Sequence, residues 1–430
     1  MDLLPVEMVN EILLQVDKQT LYEAAQVCKQ WRRLAVQQVV PLKTYGDFER
    51  ACTIGDQLSI IKSKLVNSWI NKSLKDACQA GHQVLVQLMI TKGANRWNKA
   101  LKGACYGGHQ ALVRLMISQG ANDWNGALES TCEAGHQALV QLMIDKGANN
   151  WNSALYFACK GGHQELAQLM ITKGADEWNI VLYGACHGGH QKLINMIISK
   201  GANDWDRGLF GACRGGHQQI AQLMINKGAT CWNNGLYQAC LNGHEKLVHL
   251  MITKGADSWN AGLESACHGG HQKLIQLMIS KGANRWNSCL YNACKKGYDD
   301  VVQVLITSGA DDWNGALCGA CERGDQKLIQ LMISQGANHW NTALFYSCRG
   351  GHENVVQLMI SQGANNWNSG IEGACEGGYE NIVQLMISKG ANKWNVGLNS
   401  ACRARHQHLI QLMINKGAYI CSCGKSLAHH

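Results

Sequence analysis

The stretch WNKALKGACYGGHQALVRLMISQGAND, Trp97 to Asp123, decides how the whole chain is read, because it recurs with small changes almost to the end of the sequence. Tryptophan returns at Trp97, Trp124, Trp151, Trp178, Trp205, Trp232, Trp259, Trp286, Trp313, Trp340, Trp367 and Trp394, always at the same interval. A fixed period of this size marks a stacked array of supersecondary units. Asn follows each Trp except at Asp206, and an Asn or Asp side chain can accept from the free N–H groups of a first helical turn. The unit therefore predicts a short helix over about Lys99 to Tyr106, capped by Asn98, with Leu101, Ala104 and Cys105 on its inner face. Gly107 and Gly108 break it, and a second helix follows from about Gln110 to Gln119. Leu112, Val113, Leu115, Met116 and Ile117 give that helix a wide apolar stripe, and Gly120 ends it.

Two helices this short cannot bury their apolar faces alone. Each pair must be covered by the pairs before and after it, so the expectation is an all-α solenoid of twelve to fourteen helix pairs, a rod on the order of 100 Å long at about 10 Å per pair. The unit resembles an ankyrin repeat in its Ala104-Cys105 pair, its Gly108-His109 turn, its Leu-Val-x-Leu-Met-Ile second helix and its closing Gly120-Ala121-Asn122. It is shorter than the usual ankyrin repeat of about 33 residues, and what is missing falls where the family carries its hairpin finger. A short loop is expected in its place, with the Trp filling the gap and buried between loops.

Residues 1 to 40 lie outside the period. Their sequence, LPVEMVNEILLQVDKQTLYEAAQVCKQWRRLA, starts a helix by the Pro-at-first-turn rule, and Met8, Ile12 and Leu13 share one of its faces. Asp17 can cap a second helix carrying Leu21 and Ala24, and Cys28 to Leu34 continue as a third. The segment resembles an F-box, most specifically in Val27-Cys28-Lys29 with Trp31-Arg32. That resemblance implies docking to a Skp-type adaptor, and through it to a cullin complex, by Leu4, Pro5, Ile12, Leu21, Val27 and Trp31. Residues 41–69 read as a connector and a degenerate capping repeat, 70–420 as thirteen repeats, and 421–430 as a tail. Combinations of F-box and ankyrin repeats resemble host-interaction proteins of large DNA viruses.

Composition bounds the chemistry. Of 20 cysteines, thirteen occupy one core register from Cys78 to Cys402. Helices packed about 8–10 Å apart place the Cα atoms of that register beyond the roughly 7 Å that a disulfide spans, so neighbouring repeats are not expected to link through them. Free buried Cys fits a reducing compartment. No run approaches the length of a membrane span, and acidic residues within the first twenty argue against a secretory signal. The chain is expected inside the cell, in the cytoplasm (of a host, if viral) or the nucleus. The net charge of +8 is not in the F-box-like segment, since the first 50 residues hold six Lys or Arg against seven Asp or Glu. Nine Lys sit just before the closing Gly of a repeat, where a cation is favoured by the helix dipole, which leaves nucleic acid an unfavoured partner. The ten turn histidines from His82 to His406 are a whole repeat apart, too far to share a metal ion, and read as turn structure. Cys421, Cys423, His429 and His430 have zinc-ligand chemistry but sit in a short tail. No catalytic constellation and no cofactor is expected.

What varies between copies is the residue after the first-helix Leu and the one after the Cys, at i and i+4 on one face. Along the chain these pairs are Tyr156/Lys160, Tyr183/His187, Phe210/Arg214, Tyr237/Leu241, Tyr291/Lys295 and Phe345/Arg349, with Glu129/Glu133 and Glu372/Glu376 nearer the ends. Aromatic and cationic groups interleaved this way resemble interface anchors. The target expected for this face is a protein segment with apolar and acidic side chains. The function this predicts is the substrate receptor of a cullin-type ubiquitin ligase, the alternative being a scaffold that sequesters its partner without ubiquitin transfer.

Overall fold

The computed structural model describes residues 67–419; the readings for the F-box-like segment, the connector and the Cys-His tail lie outside the described residues. Within that range every regular element is an α-helix, as the period requires. Two compact units divide at Ala229 and Thr230. Among the described residues the first holds six helix pairs, from Asn67–Ala80 with Gln83–Thr91 to Trp205–Gly215 with Gln218–Asn226. The second holds seven, from Trp232–Asn242 with Glu245–Lys254 to Trp394–Ala404 with Gln407–Asn415.

The core repeats with the sequence. In the Trp97 copy Ala100, Leu101, Ala104 and Cys105 of the first helix and Leu112, Val113 and Met116 of the second are sealed from solvent, the most accessible at 2%. The register cysteines are buried throughout, except the half-buried Cys402. Desolvation pushes the Cys105 thiol up to about 12, so these groups act as small hydrophobes. Each pair turns at a left-handed glycine. Gly108 has φ +77°, and a Cβ there would meet the His136 ring of the next repeat at 2.5 Å, so both backbone and space demand glycine. Arg405 takes the same conformation in the last pair, at φ 61°, the single non-glycine residue with positive φ among those described.

Two expectations are corrected. Asn98 is not the N-cap: the first helix starts at Trp97 and is preceded by Arg96. The cap position is the residue before each Trp, and Asp123, Asn150, Asp204, Asp312 and Asn366 fill it with side chains that accept from the third residue on. The Asn after Trp does something else. Asn98 Oδ1 accepts from the backbone N–H groups of Asn122 and Asp123, at 2.7 and 3.1 Å, in the loop that leads into the next repeat. Its Nδ2 donates to Asn122 Oδ1 at 3.2 Å. Asn125, Asn152 and Asn179 repeat both kinds of bond in the first unit. In the second, Asn233, Asn260, Asn287, Asn341 and Asn368 do the same.

The tryptophans are not buried between loops. All twelve are half-buried, and Trp205 and Trp286 rest against the glycine closing the second helix of their own repeat, Gly228 and Gly309. Lys227 Nζ lies 5.1 Å above the Trp205 ring and Lys173 Nζ 6.0 Å above Trp151. At these positions the ring lies at the end of its own helix pair, and Asn makes the link between repeats. Replacing Asn179 by Ala removes the acceptor for two N–H groups that water can partly satisfy, so the first unit should lose about 1–2 kcal/mol of stability. Urea unfolding followed by circular dichroism measures it; a change within error would show that the link is dispensable.

Candidate functional surface

The turn histidine ties each repeat backwards as the asparagine ties it forwards. His109 Nε2 lies 3.1 Å from the carbonyl of Gln79, the residue after the core Cys of the preceding first helix. His136, His163, His190 and His217 meet the carbonyls of Tyr106, Glu133, Lys160 and His187 at 3.0–3.1 Å. The same backbone position therefore holds the repeats together and carries the variable side chains of the candidate surface. The structural reading of the histidines stands on these bonds.

In the first unit the variable residues form a continuous row. The Tyr156 and Tyr183 rings are 5.8 Å apart and inclined by 23°, and Tyr183 and Phe210 are again 5.8 Å apart, at 43°. The His187 ring stacks on Tyr183 at 6.0 Å. Arg214 Nη1 donates to the Tyr183 hydroxyl at 2.8 Å, and Lys160 Nζ pairs with Glu133 Oε1 at 2.7 Å. Burial, with Lys160 and Arg214 close by, brings the His187 pKa down to about 4, so the ring is neutral near pH 7. Its Nδ1 is enclosed without a hydrogen-bond partner. Burial beside Tyr183 pushes the Tyr156 phenol up to about 12.

The second unit is organised differently. Tyr237 is exposed, at 41%. Tyr291, Lys295 and Arg349 gather on a residue the sequence reading passed over, Glu322, and Phe345 lies beside Arg349. Its carboxylate accepts from Arg349 Nη2 at 2.7 Å, Lys295 Nζ at 3.1 Å and the Tyr291 hydroxyl at 3.1 Å. Arg349 also lies 3.7 Å from Glu376, which takes Arg403 at 3.3 Å. The guanidinium of Arg349 sits 4.8 Å over Tyr346, a second overlooked residue, and 5.7 Å over Phe345. Tyr346 meets Tyr291 edge-on at 6.0 Å. Lys160, Lys295 and Arg349 are thus each held by a carboxylate one repeat away. Glu322 was detectable: it occupies the after-Cys register one repeat from both Lys295 and Arg349, but its companion there is Cys318, so the pair lacked an aromatic.

Among the described residues no group of three or more His, Cys, Asp or Glu is placed to hold a metal, and no helix is long and apolar enough to cross a membrane. The family model described as Ankyrin repeats (3 copies) matches residues 128–207, 236–316 and 317–397, more than half of the chain. The chain belongs to the ankyrin-repeat family. A model described as F-box-like matches residues 1–39, so an F-box-like domain precedes the repeats, and both parts are protein-interaction modules. No curated protein sequence matches the chain. Among solved structures it is similar to the human ASB11 ankyrin repeat domain, with 23% identity over 41% of this chain and 96% of that one and a TM-score of 0.27. It is also similar to the pentatricopeptide repeat protein PPR10 from maize, at 15% identity over 96% of this chain and 85% of that one, with a TM-score of 0.26.

Burial opposes ionisation of Glu322, but the hydrogen bonds from Arg349 and Lys295 outweigh it and hold the carboxyl below its ordinary pKa. A depressed folded pKa adds stability above the unfolded value, roughly 4.3, and that stability is lost as pH falls through the folded value. The urea midpoint of the second unit should therefore drop between about pH 5 and pH 3. Glu322→Gln should cost about 1–3 kcal/mol at neutral pH and flatten that drop; an unchanged pH profile would count against Glu322 as the hub.

Proposed function

We propose that the chain is the substrate-receptor subunit of an SCF-type cullin ubiquitin ligase. The observation that carries the reading is the pairing, on one chain, of an F-box-like domain at residues 1–39 with a repeat array whose variable face presents a row of half-buried aromatics. Leu4, Pro5, Ile12, Leu21, Val27 and Trp31 would take the Skp-type adaptor, and the row on the first helices would take the target. Holding both raises the target's effective concentration at the ligase, and the chain itself does no chemistry. The buried free thiols of the repeats fit a reducing compartment, in keeping with a place in the cytoplasm or nucleus.

The two units differ in what they leave open to a target. In the second unit Lys295 and Arg349 are engaged by Glu322, whereas in the first the Tyr156, Tyr183 and Phe210 rings form an uninterrupted aromatic row. Large rings with few rotatable bonds are the side chains that dominate binding energy at protein interfaces. The first unit is therefore the better candidate for the main target contact, with Tyr237 and the Tyr291–Arg349 cluster as further contacts.

Pro5→Ala with Trp31→Ala should abolish co-purification of adaptor and cullin while the repeats stay folded. Tyr183→Ala, Phe210→Ala and Tyr291→Ala together should cut target recovery at least about tenfold, as losing interface hot spots does, and leave adaptor recovery unchanged. A wild-type chain that retains a target but no adaptor would favour the sequestering scaffold instead.

A further inference from the structure

Three positions after each Trp the first helix carries a small side chain: Ala, Gly or, at Val181, a slightly larger one. The exception is Cys289. A side chain at this register enters the core between the Met of its own second helix and, at several copies, the core thiol of the preceding repeat. A Cβ on Gly262 would lie 3.5 Å from Cys240 Sγ, one on Gly370 3.5 Å from Cys348 Sγ, and one on Gly397 3.2 Å from Cys375 Sγ. A sulfur one bond beyond such a Cβ is within reach of the neighbouring thiol. With Cys in place, the thiols of Cys289 and Cys267 lie close enough for each to shift the other's ionisation. Their proximity favours a thiolate on Cys289, holding its pKa down, and together with burial pushes Cys267 up. The register cysteines cannot reach each other, but this thiol outside the register reaches one of them.

The same joint departs from the array in two other ways. Tyr298 replaces the turn histidine, so its ring packs about 3.0 Å from where a Cβ on Gly270 would lie, in place of a backward link of the kind that His271, one repeat earlier, makes to the carbonyl of Leu241 at 3.2 Å. The first helices Trp259–Gly269 and Trp286–Lys296 also pack more sparsely than any other neighbouring first helices within either unit. Cys267 and Cys289 are 0% and 1% exposed, so a reagent reaches them through opening of the joint between them, the most sparsely packed first-helix joint of its unit. In an array that holds together through neighbour interfaces, the weakest interface sets where it opens.

We infer that Cys267 and Cys289 form a redox-modification site at which hydrogen peroxide makes a disulfide that staples the Trp259 repeat to the Trp286 repeat. The Cys289 thiolate attacks one peroxide oxygen, the O–O bond breaks, and a sulfenic acid forms with release of one water after protonation. The Cys267 sulfur then attacks the sulfenic sulfur, its proton leaves with the hydroxyl as a second water, and the S–S bond closes. Two thiols are oxidised by two electrons and one peroxide is reduced to two waters. Cys318 and Cys321, though close, lie three apart on one helix and fasten no joint, and Cys231 is exposed, so its oxidation links separate molecules or stops at an adduct.

The test uses the full chain, a small molar excess of hydrogen peroxide, and peptide mapping without reduction. The expected product is a tryptic pair joining Cys267 to Cys289, lighter by two hydrogens and restored by dithiothreitol. Amide exchange across residues 259–297 should slow by at least about tenfold on oxidation, as closing a chain loop favours the closed state. Cys289→Ala, a side chain the array already uses at Ala100, Ala127, Ala154, Ala316 and Ala343, should abolish both changes while its far-ultraviolet spectrum and elution volume match the wild type. Cys267→Ala provides the same control from the other side. The inference is overturned if Cys231 is consumed while Cys267 and Cys289 remain alkylatable after denaturation, if register cysteines cross-link equally, or if the pair links and exchange does not slow.

Discussion

Each repeat is too short to fold alone and lacks the hairpin that would lock it to its neighbours, so everything depends on side chains that bond across the repeat boundary to backbone. The Asn after Trp grips the two N–H groups entering the next repeat, and the turn His grips a carbonyl of the previous one. These bonds sit at opposite ends of the first helix. Together they fix spacing and rotation within a unit at both ends, while the Leu, Ala, Cys and Met core between them supplies the burial that drives association. At Trp151 and Trp205 the Lys that precedes the closing glycine of the same helix pair lies over the ring, a cation–π contact of about 0.5–1 kcal/mol.

A backward link can be made in more than one way, which explains how the array tolerates losing the histidine. Asp325 turns to its own helix, accepting from the N–H groups of Lys327 and Leu328. Arg323 then reaches across, donating to the Lys296 carbonyl at 2.7 Å with its guanidinium against Gly297. Tyr379 instead places its ring against Gly351 and Gly377 of the turns around it. The glycines are the common receiver. A residue with a side chain at Gly351 would have to share its space with whatever ring the next repeat sends over.

The period, the helix pairs, the buried register and the left-handed glycines were all legible, because each follows from a local rule repeated often enough to be unambiguous. Asn98 was misread because a single copy cannot show whether an Asn oxygen serves its own helix or its neighbour. Both uses need the same residue, and the missing hairpin was the hint that a neighbour needed it. Trp97 was misplaced for a similar reason: a large ring implies burial, but nothing local says against what. The aromatic row was visible in the i and i+4 variation, whereas its charge state was not. Ion pairs that span one repeat appear only when a single register is compared across copies, as Glu133 with Lys160 and Glu322 with Lys295 and Arg349 show.

That pairing changes what the variable face can offer a partner. A carboxylate at the after-Cys register lies within reach of a base one repeat before or after it, because the Asn and His links keep the first helices in register. Glu133, Glu322 and Glu376 each draw a neighbouring Lys or Arg into an internal tie. Half-buried pairs of this kind recover little free energy over solvation and screen the base from ligands. The aromatic side chains at the other variable position offer their ring faces even where a hydroxyl is engaged, as Tyr183 is by Arg214 and Tyr291 by Glu322. Their rings stack along the row at a spacing set by the repeat, 5.8 Å between successive centroids in the first unit, and remain half open to solvent. Changing an acid or base on this face mainly retunes contacts between repeats, while changing an aromatic alters the surface presented to a partner, so affinity and array stability can vary separately.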